Sequence, residues 1–192
     1  HCVTGVQTCA LPIYPPWLPA EQYLGASKAG LYGDFTTMVD AMVGRVLKAL
    51  EESGFSKDTL VIVTSDNGPV WYGVDRKRFG HDSVGGLRGM KADAWEGGHR
   101  MPFLVRWPGH VPEGSSSSQL LCFTDVLATL AEIIGVPLNE SAGPDSISFL
   151  DTLLNGNQDS SRRSLAMQTG SGMWVVRKDQ WKLISEIGRA HV

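Results

Sequence analysis

Asp66 and Asn67 set one carboxylate and one carboxamide oxygen side by side just after a β-branched run, Thr59 to Thr64. Both are hard oxygen donors, of the kind that Ca2+ or Mg2+ prefers. Two residues alone leave the matter open, because Asp-Asn-Gly followed by Pro69 is also an ordinary turn sequence. Residues 70 to 99, which follow, are dense in Gly, Arg, Lys, His and Trp and have no clear period, as a loop that builds a site would be. Within it, His81 precedes Asp82 and Ser83 and suits a substrate contact as well as it suits a surface loop. Glu96 opens a Glu-Gly-Gly turn and reads as structural, paired with an arginine or with backbone amides. His99 and Arg100 read as packing or ion-pairing residues at the entry to a strand. Trp71, Tyr72 and Trp95 have faces that suit a sugar or an aryl group, and core packing accounts for Trp95 equally well.

The elements that must position these groups are legible in the apolar pattern. Leu31, Met38, Val39, Met42, Val43, Val46, Leu47 and Leu50 recur at spacings of three and four, and Gly54 follows as a stop, which predicts a long amphipathic helix. Thr59 to Thr64 has no polar alternation and predicts a strand covered on both faces in a mainly parallel sheet. In open α/β sheets, ligand sites lie just beyond the carboxyl ends of the strands, where Asp66 and Asn67 stand. Met101 to Trp107 predicts a second buried strand closed by Pro108 and Gly109. Ser115 to Ser118 reads as a flexible connection. Phe123 to Ile134 predicts a helix with Thr124 as N-cap, Asp125 at the positive end of the dipole and Gly135 after the last turn. Asn139 to Asp145 reads as loop, Ile147 to Leu154 as a short apolar element, and Gly172 to Arg177 with Trp181 to Ser185 as a hairpin. The reading is an α/β core, residues 14–137, with a β-rich C-terminal segment, residues 138–185.

At 192 residues and 42% hydrophobic content the chain can bury a core. A net charge of -3 and a pI near 5.9 argue against a nucleic-acid partner. No apolar run approaches the roughly 18 to 20 residues needed to span a bilayer. Cys2, Cys9 and Cys122 have neither zinc-knuckle nor redox spacing, and Cys122, beside Leu120, Leu121 and Phe123, reads as a small buried hydrophobe. Residues His1–Ile13 and Glu186–Val192 resemble the translation of a sequencing-library adapter read in its two orientations, and they are set aside from the fold.

Leu87-Arg88-Gly89-Met90-Lys91, Trp95-Glu96-Gly97-Gly98-His99-Arg100-Met101-Pro102-Phe103 and Arg106-Trp107-Pro108-Gly109 resemble the C-terminal signature of the sulfatases. So do Thr64-Ser65-Asp66-Asn67-Gly68, and Gly33-Asp34 through Asp40 and Gly44 before it. The resemblance implies an alkaline-phosphatase-like α/β fold, with a mixed sheet flanked by helices, and hydrolysis of sulfate esters around one divalent cation, Ca2+ or Mg2+. It makes Asp66 and Asn67 the second pair of metal ligands and Lys91 the lysine that contacts the sulfate. An ammonium there offsets charge on the sulfuryl oxygens as the ester bond breaks. The nucleophile of the family is a formylglycine made inside a Cys/Ser-x-Pro-x-Arg motif, which this chain lacks. Cys9 does not fit it, and the paired N-terminal aspartates are missing as well. The chain by itself is therefore expected to be inactive, the formylglycine lying upstream in a longer parent. Tyr14-Pro15-Pro16 falls where the family reads His-x-Pro, so Tyr14 is read as a hybrid codon at the adapter junction in place of a substrate-binding histidine. The implied substrate is a sulfated small molecule or carbohydrate, and the implied location is periplasmic or secreted. A phosphonate or phosphate monoester hydrolase of the same superfamily and a sulfatase-like binding domain without catalysis are the alternatives.

Overall fold

The computed structural model describes residues 17–139, 141–156 and 162–185. Two compact units interleave along the chain. One comprises the residues up to Ser56 together with Asn67–Lys91 and Trp95–Met101; the other comprises Lys57–Asp66, Ala92–Ala94 and the chain from Pro102 onward.

The first unit is built on helix α1, Gly30–Glu52. The stripe at three and four residue spacing forms the predicted helix, and Gly54, at φ +78°, turns the chain out of it. No side chain caps its start. Instead Asp34, 3% exposed, reaches back and accepts the backbone N–H groups of Gly25 (2.9 Å) and Ser27 (2.8 Å), which fixes the loop leading into the helix. Only the first turns of α1 are well buried, at Gly33, Asp34 and Phe35. Residues 70 to 99 contain two short helices, α2 (Gly73–Phe79) and α3 (Glu96–His99). Helix α2 ends at Gly80 in the left-handed region, with Arg76, Lys77 and Arg78 in its last turn, where cations favour the carbonyl end. Glu96 begins α3 and His99 ends it, so His99 and Arg100 close a helical turn and do not enter a strand as expected; the two glycines between Glu96 and His99 fold as one turn.

The second unit contains strands β1 (Val61–Thr64) and β2 (Phe103–Arg106). They pair antiparallel, from Val61 opposite Arg106 to Thr64 opposite Phe103, which corrects the expectation of parallel pairing. An unalternating apolar run reports that both faces of a strand are apolar and carries no information about the direction of its neighbour. Nor is β2 buried on both faces: it alternates, and Leu104 is 63% exposed.

Helix α4 spans Asp125–Ile133. Thr124 does precede it, but its backbone is already helical and its hydroxyl donates to Asp145 O at 3.3 Å, so it does not cap the helix. Asp125 takes over that end: its carboxylate accepts the N–H of Cys122 (2.9 Å) and, from the other side, that of Ile147 (3.0 Å). Arg162 pairs with the same carboxylate, and both side chains are buried. The helix α5, Leu150–Asn155, follows Phe149, whose ring meets Phe103 edge to face. Strands β3 (Ser164–Gln168), β4 (Trp174–Lys178) and β5 (Trp181–Ile184) form an antiparallel meander in that order. The predicted hairpin is β4–β5, turning at Asp179 with φ +51°, and Val175, paired with Ile184 at its open end, is fully buried. Among the described residues no helix is long and apolar enough to cross a membrane.

Candidate functional site

Asp66 lies just beyond β1 and is exposed. The end of that strand is fastened by Thr64, whose hydroxyl donates to Pro102 O at 2.7 Å. Asn67 is half-buried, and its carboxamide Nδ2 donates to Gly68 O at 2.9 Å. Since the amide nitrogen is committed to the backbone, the carboxamide plane is held and its oxygen is turned the other way. The two residues bring oxygen donors only. That suits a hard cation and supplies part of the six to eight ligands that Ca2+ takes. Among the described residues, no cluster of three or more His, Cys, Asp or Glu side chains is arranged to hold a metal ion.

Within the first unit, three backbone segments lock together directly behind Asn67. Gly68 N–H donates to Gly98 O (3.0 Å), Gly97 N–H to Arg88 O (2.8 Å), and Lys91 N–H to Pro69 O (2.9 Å). The segments approach too closely for side chains. A Cβ on Gly68 would stand 1.8 Å from Gly97 O, and one on Gly97 would stand 2.2 Å from Gly89 O. In each case the obstructing atom is backbone, which cannot swing aside. These contacts explain Gly68 of the Asp-Asn-Gly group and Gly97 of the Glu-Gly-Gly group, and they tie half-buried Lys91 to Pro69, two residues along the chain from Asn67. Sequence reading singled out the carboxylate, the amide and the ammonium; the glycine clasp that holds the latter two was missed. Its only signal was the recurrence of glycines in step with them.

Lys91 is followed by Ala92, a non-glycine residue at φ +74°. Such a conformation persists only where neighbours impose it. In the second unit, Ala92 O accepts Gly170 N–H (3.2 Å) and Ala94 O accepts the ammonium of Lys182 (3.0 Å), so residues 92–94 are tied to the turn after β3 and to β5.

The aromatic residues divide. Trp71 is 7% exposed and packs among Trp17, Tyr32 and Phe79, with ring centroids 4.6 to 6.3 Å apart, so it is a core residue and not a pocket wall. Its indole N–H donates to His81 O at 2.8 Å, and the His81 ring meets it edge-on at 5.7 Å. His81 is thus held by its backbone while remaining exposed. Asp82 accepts Gly86 N–H (2.7 Å) and pairs with Arg76, which makes it a brace for the loop. Tyr72 is exposed, and Trp95 is half-buried beneath the guanidinium of Arg88, 3.6 Å from the ring centroid. Tyr14, Cys2 and Cys9 lie outside the described residues.

A model of the sulfatase family matches residues 11–136. An N-acetylgalactosamine-6-O-sulfatase of Bacteroides thetaiotaomicron is 36% identical over 177 residues, covering 90% of this chain and 34% of the relative. A solved Bacteroides thetaiotaomicron structure, described with the metabolism of multiple glycosaminoglycans, superposes with a TM-score of 0.81 at 35% identity, covering 89% of this chain and 36% of that one. A phosphonate monoester hydrolase from Silicibacter pomeroyi shares the fold at a TM-score of 0.59 and 20% identity, over 80% of this chain and 31% of that one. The chain therefore spans about a third of the length of the relatives it matches.

Proposed function

The chain belongs to the sulfatase family, and from that premise we propose that it forms part of the active site of a sulfuric ester hydrolase acting on a sulfated carbohydrate or small molecule. The observation that supports the reading is the backbone bond from Lys91 N–H to Pro69 O, two residues along the chain from Asn67. In this reading Asp66 and Asn67 hold a divalent cation, Ca2+ or Mg2+, and Lys91 directs its ammonium at the sulfuryl oxygens. When bound, the cation orients the sulfate and withdraws charge from its oxygens. Lys91 adds a fixed positive charge where negative charge collects in the transition state, and being preorganised by the glycine clasp it needs no rearrangement to do so. The remaining ligands and a formylglycine nucleophile belong to the rest of the complete protein, for which the family makes a periplasmic or secreted location the natural one. A sulfated sugar is favoured because the bacterial relative carries N-acetylgalactosamine-6-O-sulfatase as its name.

Asp66 is the residue to test. In the complete protein, Asp66→Ala should weaken cation binding at least about tenfold, since loss of even an outer partner of a metal ligand costs 10- to 100-fold. Sulfate-ester turnover should fall with it and recover in part at high Ca2+. Titration of the metal-stripped protein with Ca2+ by calorimetry reads the affinity directly. Unchanged affinity and unchanged turnover would remove Asp66 from the site.

A further inference from the structure

Arg88 lies three residues before Lys91 and is the one cation of that motif to which resemblance gives no role. Its guanidinium lies over the indole of Trp95 at 3.6 Å from the ring centroid, while its carbonyl accepts Gly97 N–H at 2.8 Å. One residue thus joins the two sides of the clasp twice, by side chain and by backbone. A guanidinium is suited to this because it is planar, weakly hydrated and always charged, so it stacks on an aromatic face while its edge stays in water. The Arg88 side chain is exposed and Trp95 half-buried, so the stack closes the solvent side of the clasp. Much of the rest of the clasp is the backbone of Gly68, Gly97 and Gly98, which has no side chains of its own to pack.

We infer that Arg88 and Trp95 form a positioning pair that holds the backbone of Lys91 in its working place, so that Arg88 acts on catalysis through Lys91 and does not bind substrate itself. The inference rests on the catalytic role proposed for Lys91. If the segment 88–90 lifts from Trp95 and Gly97, the backbone leading into Lys91 moves on the side opposite its bond to Pro69. Loss of placement by about 1 Å is enough to cost on the order of 100-fold in rate.

Two readouts on the complete protein test the pair. The first is amide hydrogen exchange of the peptides covering residues 87–101, which needs no catalysis. Arg88→Ala and Trp95→Ala should each speed exchange there by about tenfold or more, with peptides over α4 unchanged, and the double variant should add little to either single one. Arg88→Lys and Trp95→Phe, which keep a cation and a ring, should restore part of the protection. The second readout is kinetic: Arg88→Ala should lower kcat by roughly 10- to 100-fold at a KM within about twofold. Unchanged exchange overturns the inference. So does a raised KM at normal kcat, which would make Arg88 a substrate contact. A Lys91→Ala variant run in parallel separates the two levels. If it is inactive while Arg88→Ala is fully active, the positioning pair alone fails; if Lys91→Ala keeps full activity, the role of Lys91 fails and the pair falls with it.

Discussion

Lys91→Ala in the complete protein should lower kcat about 100-fold or more while cation content stays at the wild-type level, because the change removes a contact that matters most in the transition state. The split between metal and rate is the informative part. Asp66 and Asn67 would still hold the cation, so binding of the sulfate group should be altered little and the deficit should appear when the ester bond breaks. Lys91→Arg should not restore the rate, because a guanidinium is wider and flatter than an ammonium and cannot put a compact point charge where the ammonium stands. Activity assays with an aryl sulfate, alongside elemental analysis for calcium, check both halves. A kcat/KM within about twofold of wild type for Lys91→Ala would remove the lysine from the mechanism.

The largest stability loss is expected at a place the chemistry does not touch. Asp125 is 1% exposed, and its carboxylate accepts four hydrogen bonds: from Cys122 N–H, from Ile147 N–H, and from Nε and Nη2 of Arg162. The same Arg162 also donates to Asp145 O, while Thr129 accepts Phe149 N–H (3.1 Å). Together these bonds join α4 to the chain around Asp145 to Phe149 and to the start of β3. Breaking such a buried pair by removing one partner costs about 3 to 5 kcal/mol, since the other charge is left uncompensated. Asp125→Ala should be the worse of the two, as it also strands two backbone N–H groups; Arg162→Met leaves those bonds in place. The Arg162 guanidinium is held protonated more firmly than usual by its hydrogen bond to Asp125, with burial opposing and the charge of Asp125 adding to it. A raised basic pKa stabilises the fold fully below the unfolded value, and that contribution is lost only as pH climbs through the folded one, here above the ordinary guanidinium range. Raising the pH within the accessible range therefore does not neutralise the guanidinium, and substitution is the way to test the pair. Urea unfolding of the 192-residue chain and its variants measures the cost. A loss below about 1 kcal/mol for Asp125→Ala would mean that the cluster contributes little.

The pair also marks where reading the sequence stops. Asp125 was placed correctly at the positive end of a helix, yet a helix dipole effect is worth at most about 2 kcal/mol and gives no hint of a partner 37 residues away. Strand β3 was missed for a related reason: Ser164, Ala166 and Gln168 have weak β-propensity, and the strand forms because β4 offers it an edge to pair with. Local periodicity found α1, α4 and the β4–β5 hairpin because their signals lie within a few turns of chain. The direction of β1 against β2 was open, since 38 residues separate Thr64 from Pro102 and the apolar run at β1 has no directional mark. Of the proposed site, Asp66, Asn67 and Lys91 are singled out by residue type and motif. The clasp that fixes Asn67 and Lys91 is not, because glycine leaves only the absence of a side chain to read. Trp71 was offered as a pocket wall on the strength of its ring and proved to be core, a distinction that burial decides and residue type does not.

The central claim, that the site hydrolyses sulfate esters, is tested most directly by the ratio of kcat/KM for 4-nitrophenyl sulfate to that for a 4-nitrophenyl phosphonate monoester, measured on the complete protein with Ca2+ present. Sulfate turnover should exceed phosphonate turnover by about 100-fold or more, a difference in barrier of about 2.7 kcal/mol. A ratio reversed in favour of the phosphonate would contradict the account, and would move the site to the other hydrolases that share this fold.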